Sequence, residues 1–368
     1  MEPTTTLKRT PFHAFHKALG AKLVDFAGYE MPLRYTGDVR EHQAVRQGAG
    51  LFDISHMGEF RVTGAGAAAF LDRALTNDIG GMAIGQATYT TMCRESGGIV
   101  DDLYVYRSPR HFMLVVNASN IAKDFAWLKE QCPAGVELTD SSDETALLAV
   151  QGPKAPQVLR GHVPAEALEM PSNRFIEGPL YGVPAVIART GYTGEDGFEL
   201  YFAGAGATRV WEGLQASGAK VGLEPIGLGA RDSLRLEMAY MLYGNDIDDS
   251  TNPLEAGLGW TVKLDKADFM GKSTLVEQKS QGLTRKLVGL AADGRRVPRH
   301  DMVVETEGKA IGRVTSGGFG PSVETPIAMA YVEAPFAALG TPLEVTAGTT
   351  RIPTRVVKRP FYQHGSRK

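Results

Sequence analysis

Apolar and polar positions alternate in three consecutive segments in the first third of the chain, and this alternation predicts three strands. The segments are 87–93, 99–106 and 112–117. Gly97 and Gly98 separate the first two segments, and glycine readily adopts the positive φ angles that a tight reversal requires. The pattern therefore predicts an antiparallel meander.

The second of these strands carries two adjacent acids, Asp101 and Asp102, which is unusual because aspartate is disfavoured within strands. Side chains of a strand alternate between its faces, so the two acids have different surroundings. The expected faces are Ile99, Asp101, Leu103 and Val105 on one side, and Val100, Asp102, Tyr104 and Tyr106 on the other. Either Asp101 completes the turn while Asp102 is exposed, or Asp102 faces a pocket. The aromatic residues on its side favour the pocket.

Elsewhere the pattern mixes helices and strands. Predicted helices are 11–19, 38–47, 120–129, 155–159 and 230–242. Predicted strands are 22–26, 51–58, 145–151, 185–189 and 198–202. Residues 31–35 are expected to form a loop, 252–263 a loop and a strand, and 278–286 a polar linker. From residue 287 onward, short strands alternate with Gly/Pro turns, which indicates a small antiparallel barrel or sandwich.

Two further charged residues have positions that suggest binding. In the strand 198–202, alternation places Glu199 on the face opposite the apolar Phe198 and Leu200. Glu199 is then either a surface charge or a carboxylate that binds the flat, guanidine-like donor edge of a ligand. Arg231 lies in the first turn of its predicted helix, where it opposes the helix dipole, so it is better placed to meet an external anion or carbonyl. Trp260 is either a core ring or a wall of a pocket.

Other familiar kinds of site fit poorly. Asp53, Ser55 and His56 contain the residue types of a hydrolase triad, but close neighbours on a strand point in alternating directions. His13 and His16 share a helical face, yet a metal needs more ligands. A strand, a Gly-Ala-Gly turn and a helix occur twice, which indicates a repeated structural unit in place of a dinucleotide site.

The 368-residue length predicts two or three domains. A net charge of −3 gives the protein as a whole no electrostatic field that would attract nucleic acid or membranes. Two cysteines, Cys93 and Cys132, suit a reducing compartment, and no leader is recognisable, so a bacterial-type cytoplasmic protein is expected. A basic C-terminal tail is either solvated or a docking surface. Its basic residues are Arg351, Arg355, Lys358, Arg359, Arg367 and Lys368.

Several ordered motifs together resemble those of the glycine cleavage T-proteins, the aminomethyltransferase family. They are Met-Pro-Leu at 31–33, Phe-Asp-Ile-Ser-His-Met at 52–57, the hairpin from Gly97 to Asp102, Val-Gln-Gly-Pro at 150–153, Thr-Gly-Tyr-Thr-Gly-Glu at 190–195 and Gly-Leu-Gly-Ala-Arg-Asp-Ser-Leu-Arg at 227–235. The resemblance covers almost the whole chain, and such an ordered set is far more specific than any single motif.

The resemblance implies an α+β cloverleaf, in which two interwoven α+β lobes (1–277) are joined by a C-terminal antiparallel β-barrel (286–368). It also implies a tetrahydrofolate-dependent enzyme without a metal, which takes an aminomethyl group from the lipoyl arm of H-protein, forms 5,10-methylenetetrahydrofolate and releases ammonia. The P- and L-proteins of the same system would be indirect partners. By motif position, Asp102 matches the essential carboxylate. The residues expected around folate are Met57, Tyr89, Asn117, Tyr192, Glu199, Arg231 and Tyr240, with Glu199 on the pterin edge.

Three alternatives stay open from the sequence. A folate-dependent demethylase and a non-catalytic folate-binding relative would share the fold. A scaffold or carrier-binding protein that uses the basic tail would belong to a different class, and it would not depend on Asp102.

Overall fold

A computed structural model of the chain describes residues 6–367. Its α-helices are α1 (His13–Ala18), α2 (Asp38–Gln47), α3 (Ala67–Ala74), α4 (Ile121–Glu130), α5 (Ala155–Leu159), α6 (Ala165–Glu169), α7 (Ala207–Gly218), α8 (Leu228–Glu237) and α9 (Lys272–Gln281). The amphipathic helices turn their apolar faces toward the sheets, since burial of that face supplies most of a short helix's stability.

The strands before the C-terminal region are β1 (Lys22–Phe26), β2 (Tyr29–Arg34), β3 (Ala49–Asp53), β4 (Gly58–Thr63), β5 (Gln86–Cys93), β6 (Ile99–Arg107), β7 (Phe112–Val116), β8 (Glu137–Asp140), β9 (Thr145–Gln151), β10 (Phe175–Leu180), β11 (Val183–Ala188), β12 (Gly197–Ala203) and β13 (Leu223–Ile226). The strands that follow are β14 (Arg285–Ala292), β15 (Val303–Thr306), β16 (Lys309–Gly320), β17 (Thr325–Glu333), β18 (Pro342–Ala347) and β19 (Thr350–Val357).

Two large sheets form most of the N-terminal part, beside the small β1-β2 sheet, and the chain passes between the two large ones. One sheet has the order β5-β6-β7-β4-β8 and the other has the order β10-β11-β12-β9-β3-β13. The chain enters the six-stranded sheet at β3, builds all of the five-stranded sheet with β4 to β8, and then returns with β9. The two α+β lobes are therefore interwoven, as expected. One pair departs from the antiparallel pattern, since β13 runs parallel to β3.

The C-terminal strands close into a barrel of order β14-β17-β16-β15-β18-β19. Neighbouring strands pair antiparallel, and closure leaves no free sheet edge. Alternate residues of β19 face the interior, since Ile352, Thr354 and Val356 are buried while Arg351, Pro353 and Arg355 are exposed. The predicted antiparallel barrel is confirmed.

The predicted meander of β5, β6 and β7 is also confirmed, with one correction inside it. Cys93 pairs with Ile99 and Met92 pairs with Asp101, so Val100 is an extra residue in a β-bulge. A bulge reverses the alternation of faces on its N-terminal side. Val100 therefore packs with Leu103 in the core of this lobe, whereas Ile99 packs in a separate cluster. The expected placement of Ile99 and Val100 was wrong.

Other element predictions are also wrong. The strand predicted over 51–58 is not continuous, because β3 ends at Asp53 and β4 begins at Gly58. Residues 31–35 were expected to be a loop, but 31–34 belong to β2, which forms a hairpin with β1. Residues 252–263 contain no strand and only a short 3₁₀ turn, Gly259–Thr261. The polar linker predicted at 278–286 begins inside α9, whose last residue is Gln281. In each case tertiary packing decided between conformations that the local sequence allows.

Helix α8 ends five residues earlier than the predicted limit of 242. Its last residue is Glu237, and Ala239 has a φ of 53°, which breaks the helical path. The early end lets the following segment turn back, so that Tyr240 stacks on Tyr192 with a ring-centroid distance of 5.7 Å.

Candidate active site

A cavity lies between the two sheets of the N-terminal part. An inner chamber of about 100 Å³ is lined from the five-stranded sheet and from the six-stranded sheet, with Arg231 of α8 at its wall. An outer chamber of about 660 Å³ adjoins it and shares Tyr89, Tyr104, Gly191 and Tyr192. The outer chamber reaches the barrel strands β14 and β19, so all parts of the fold contribute to one site.

The structure places all eight expected site residues around this cavity. The inner chamber is lined by Met57, Tyr89, Asp102, Asn117, Tyr192, Glu199 and Arg231. Tyr240 lines the outer chamber. They come from separate loops, strands and helices, and only the fold brings them together.

Asp102 faces the inner chamber and is held at both carboxylate oxygens. The Tyr89 hydroxyl donates to Oδ2 at 2.7 Å, and the Asn117 side-chain amide donates to Oδ1 at 2.9 Å. Burial and the neighbouring Asp101 raise the pKa of Asp102, although these two donors favour its ionised form. Such a carboxylate can accept hydrogen bonds from amines and can exchange a proton near neutral pH.

Asp101 has a structural setting instead. Its side chain is fully buried, and it accepts hydrogen bonds from the Asn117 main-chain N–H at 3.1 Å and from the side-chain amides of Asn117 at 2.8 Å and Asn120 at 2.7 Å. Asp101 therefore does not complete the turn, and Asp102 is the acid that lines the cavity. Of the two interpretations from the sequence, the pocket is the correct one.

Glu199 lies across the inner chamber on β12. Its Oε2 accepts hydrogen bonds from the hydroxyls of Thr190, Tyr106 and Tyr201, the last two at 3.2 Å each. No donor among residues 6–367 reaches Oε1 within hydrogen-bond distance. Phe198, Leu200 and Phe202 pack in the core on the other face of the strand, as alternation predicts. Glu199 is consequently not a surface charge.

Arg231 lies near the N-terminus of α8, and its guanidinium is 4.8 Å from the centre of the Tyr192 ring. Burial lowers the pKa of Arg231, and no carboxylate of the described chain forms an ion pair with it. The Tyr192 hydroxyl donates to the Met241 carbonyl oxygen, which holds the ring in place. The site thus combines an unpaired cation with a fixed pair of stacked tyrosines.

Three further aromatic residues line the cavity in roles that the sequence analysis did not assign or left open. Tyr106 and Tyr201 belong to hydrophobic strand patterns, and only their hydroxyl contacts with Glu199 give them a polar role. Trp260 is 60% exposed and stacks on Tyr89 at 5.6 Å, so it is a wall of the outer chamber and not a core ring. Alternation within β6 placed Tyr106 on the Asp102 face, and Trp260 was considered as a pocket wall, but the contacts of Tyr106 with Glu199 and of Trp260 with Tyr89 carry no local signal.

The C-terminal tail divides into two parts. Arg351 and Arg355 form exposed ion pairs with acids of the barrel region. Arg367 returns to the cavity, where it lines the outer chamber and donates to Asn173 Oδ1 at 2.8 Å. Lys368 lies outside the described residues. The tail is therefore not one continuous basic surface.

The residues considered for other sites have different partners. Asp53 accepts hydrogen bonds from His16 and Thr10, and the Ser55 hydroxyl donates to the Leu147 carbonyl, so no triad forms. His56 is buried, and its ring nitrogens have no hydrogen-bond partner in the described chain. Residues 6–367 contain no group of three or more potential metal ligands, and no helix among them could span a membrane.

The chain matches two family models in sequence. The GCVT N-terminal domain matches residues 12–266, and the glycine cleavage T-protein C-terminal barrel domain matches residues 285–363. An aminomethyltransferase of Desulforamulus reducens is 47% identical over 97% of this chain and 98% of its own length. One of Thermotoga petrophila is also 47% identical, over 98% of this chain and 100% of its own length.

A solved structure has the same fold over the whole chain. The glycine cleavage system aminomethyltransferase T from Bartonella henselae superimposes with a TM-score of 0.91 at 39% identity, covering 98% of this chain and 100% of that chain. Family models, full-length relatives and a full-length structure therefore agree with the family that the sequence motifs resemble. The chain belongs to the glycine cleavage T-protein family and is an aminomethyltransferase.

Proposed function

We propose that this protein transfers the methylene carbon of an aminomethyl group, carried on the reduced lipoyl arm of H-protein, to tetrahydrofolate. The products are 5,10-methylenetetrahydrofolate, ammonia and the reduced lipoyl thiol. The observation that supports this most is the pair of carboxylates that face one cavity, Asp102 with both oxygens held and Glu199 with Oε1 open to a ligand.

Glu199 is suited to the pterin ring of the folate. A pterin presents an exocyclic amine and a ring N–H side by side, which a carboxylate can accept together. Three hydroxyl donors to Oε2 fix the orientation of the Glu199 carboxylate before any ligand arrives. Such pre-orientation reduces the entropy lost on binding.

The other proposed contacts follow from the cavity walls. Arg231 is an unpaired cation that can donate to the pterin carbonyl, while Tyr192 and Tyr240 offer stacked aromatic faces. Met57, which lines the inner chamber with Arg231 and Tyr192, provides an adaptable apolar contact. The outer chamber, at about 660 Å³, has room for the remainder of the folate and for the end of a lipoyl arm.

Asp102 is proposed to act on the reacting amines. Two C–N bonds to folate form in the reaction, while the C–N bond to the leaving amine and the C–S bond to the lipoyl arm break. The two folate N–H protons leave with ammonia and with the thiol. Asp102 stabilises the positive charge that develops on the attacking nitrogen and assists proton transfer toward the departing amine. Tyr89 and Asn117 hold the carboxylate in position for this.

The test uses an H-protein loaded with an aminomethyl group that carries a ¹³C label. The expected result is stoichiometric release of ammonia and appearance of the label in the folate methylene group, both dependent on added tetrahydrofolate. Asp102→Asn should bind folate normally but lower the rate by about 100-fold or more. Binding of folate without label transfer, together with demethylation of a small methylamine, would instead establish the demethylase alternative.

We also propose that the chain divides functionally at residues 277 and 286, into a folate-binding part (1–277) and the barrel part (286–368). The start of β14 at Arg285 and the gap between the matched family models, from 266 to 285, support this division. The terminal residues 1–5 and 368 of these ranges lie outside the described chain.

A further inference from the structure

A third acid lies behind the two acids of β6. Asp124, on helix α4, is fully buried, and neither of its carboxylate oxygens receives a hydrogen bond from a conventional donor of the described chain. A buried carboxylate without donors is very unfavourable in its ionised form. The residue therefore requires either a proton or a partner that the usual donor groups do not provide.

Asp101 is that partner. Asp124 lies close enough to Asp101 for a hydrogen bond once one of the two carboxyl groups carries a proton. Asp101 already accepts from Asn117 and Asn120, so the proton that the pair shares belongs on Asp124. Burial and the charge of Asp101 raise the pKa of Asp124 far above its ordinary value.

The other ionisable groups around Asp124 do not compensate its charge directly. The charge of Lys123, which precedes it on α4, acts to lower the pKa of Asp124, but its Nζ donates to the Val100 carbonyl at 2.6 Å and to the Tyr243 hydroxyl at 2.8 Å instead of to Asp124. Asp102, on the facing strand β6, adds further negative charge and raises the pKa of Asp124 in the same direction as Asp101. A neutral Asp124 is the arrangement that these neighbours favour.

We propose that Asp124 is a positioning residue for aminomethyl transfer, because its neutral carboxyl group donates a hydrogen bond to Asp101 and so holds the groups that orient Asp102. The connection is short. Asn117 donates from one side-chain amide to both Asp101 Oδ1 and Asp102 Oδ1, at 2.8 and 2.9 Å. A change in the position or charge of Asp101 is therefore transmitted to Asp102 through a single side chain. The proposal rests on the role proposed above for Asp102.

The positions of the contributing residues support a dedicated arrangement. Asn117 directly follows β7, Asn120 lies in the 3₁₀ turn that comes next, and Asp124 is one helical turn further along. The spacing of four residues puts the side chains of Asn120 and Asp124 on one face of the helical segment, and Asn117 precedes that segment with an extended backbone. The side chains of Asn117, Asn120 and Asp124 all approach Asp101. An aspartate that only completed a hairpin turn would need none of these three neighbours.

Glu59 is a matched comparison within the same lobe. It is also buried, at 1% exposure, with both carboxylate oxygens unpartnered in the described chain, and burial raises its pKa. The acid that raises its pKa further is Asp140, and neither Asp101 nor Asp102 is among the causes of the shift. Glu59→Gln therefore reports what the loss of a buried acid does to stability alone.

The experiment compares three variants of the full-length protein. Asp124→Asn keeps a neutral donor of the same shape, Asp124→Leu keeps the volume without a donor, and Glu59→Gln is the control. The first measurement is the pH dependence of kcat for ammonia release. Without the donor, the Asp101 charge is less compensated and repels Asp102 more strongly. Asp124→Leu should therefore shift the acidic limb upward by about one pH unit, whereas Asp124→Asn and Glu59→Gln should leave it in place.

A second measurement does not depend on activity. Infrared spectra at neutral pH should show the C=O stretch of a protonated carboxylic acid, and Asp124→Asn should remove this band. The band that is lost in Glu59→Gln belongs to Glu59 and is subtracted first. Absence of the Asp124 band, or an acidic limb that stays unchanged in a folded Asp124→Leu protein, would overturn the proposal. If the unsubstituted protein releases no ammonia with folate, the proposed function fails, and the infrared band still decides the state of Asp124.

Discussion

The Tyr89 hydroxyl donates a hydrogen bond of 2.7 Å to Oδ2 of Asp102, and these two residues lie on neighbouring strands of one hairpin. Burial and the Asp102 charge raise the pKa of Tyr89 far above its ordinary value, so the phenol stays a donor throughout the working pH range. A permanent donor stabilises the carboxylate form of Asp102 against the opposing effects of burial and of Asp101. The hairpin therefore determines both the position and the protonation of the acid.

Tyr89→Phe removes this donor and keeps the ring. A hydrogen bond to a charged group contributes about 1.5–3 kcal/mol, so the acidic limb of the kcat profile should move upward by about one pH unit or more. Activity should fall most at low pH and recover at high pH. The measurement is ammonia release across the pH range. Equal loss of activity at every pH would mean that Tyr89 acts by stacking on Trp260 alone.

Asp102 should also lower the stability of the folded protein as pH rises. Its pKa is raised in the folded state, whereas the unfolded chain has an ordinary value of about 3.9. Between these two values the folded state binds more protons than the unfolded state, so the free energy of unfolding decreases with increasing pH.

Asp102→Asn removes this effect. Thermal and denaturant unfolding should show the variant to be more stable than the unsubstituted protein by about 1–2 kcal/mol at pH 8, with a smaller difference at pH 5. If the stability of the variant relative to the unsubstituted protein is lower at pH 8 than at pH 5, the raised pKa of Asp102 is contradicted.

Glu199→Gln tests the proposed pterin contact. The substitution keeps the size of the side chain but removes its charge, and charged hydrogen bonds contribute about 1.5–3 kcal/mol. The KM for tetrahydrofolate should rise by about 10- to 100-fold with a smaller change in kcat. Glu212→Gln, at an exposed position of α7, is the control and should change neither constant. A normal KM in the Glu199 variant would show that the acid only orders Tyr106 and Tyr201.

Arg367→Gln tests whether the returning tail takes part in binding. Arg367 lines the outer chamber near Tyr240, where the anionic end of a folate would extend. Because this end of the cavity is open to solvent, the KM for tetrahydrofolate should rise only about 3- to 10-fold, with kcat unchanged. Arg355→Gln removes an exposed ion pair with Asp293 and provides the control. An equal effect of both substitutions would point to general electrostatics.

The two-residue period of a strand made much of the site predictable. It separated Asp101 from Asp102 and placed Glu199 opposite Phe198, because successive side chains of a strand must face opposite sides. It failed at Val100, where one extra residue in the bulge reverses the faces. A bulge arises from the pairing of two strands, and the local sequence of one strand does not determine it.

The hydrophobic pattern by itself thus determined the meander, the barrel strands and the faces on which the two cavity carboxylates lie, since these follow from local geometry. The tertiary structure alone decided which distant residues meet. Arg367 contacts Asn173 across 194 residues of sequence, Trp260 reaches Tyr89 from a segment predicted as a loop and a strand, and Asp124 lies behind Asp101. Such contacts depend on how whole elements pack, and the packing of the two sheets, the barrel and the tail is a property of the complete chain.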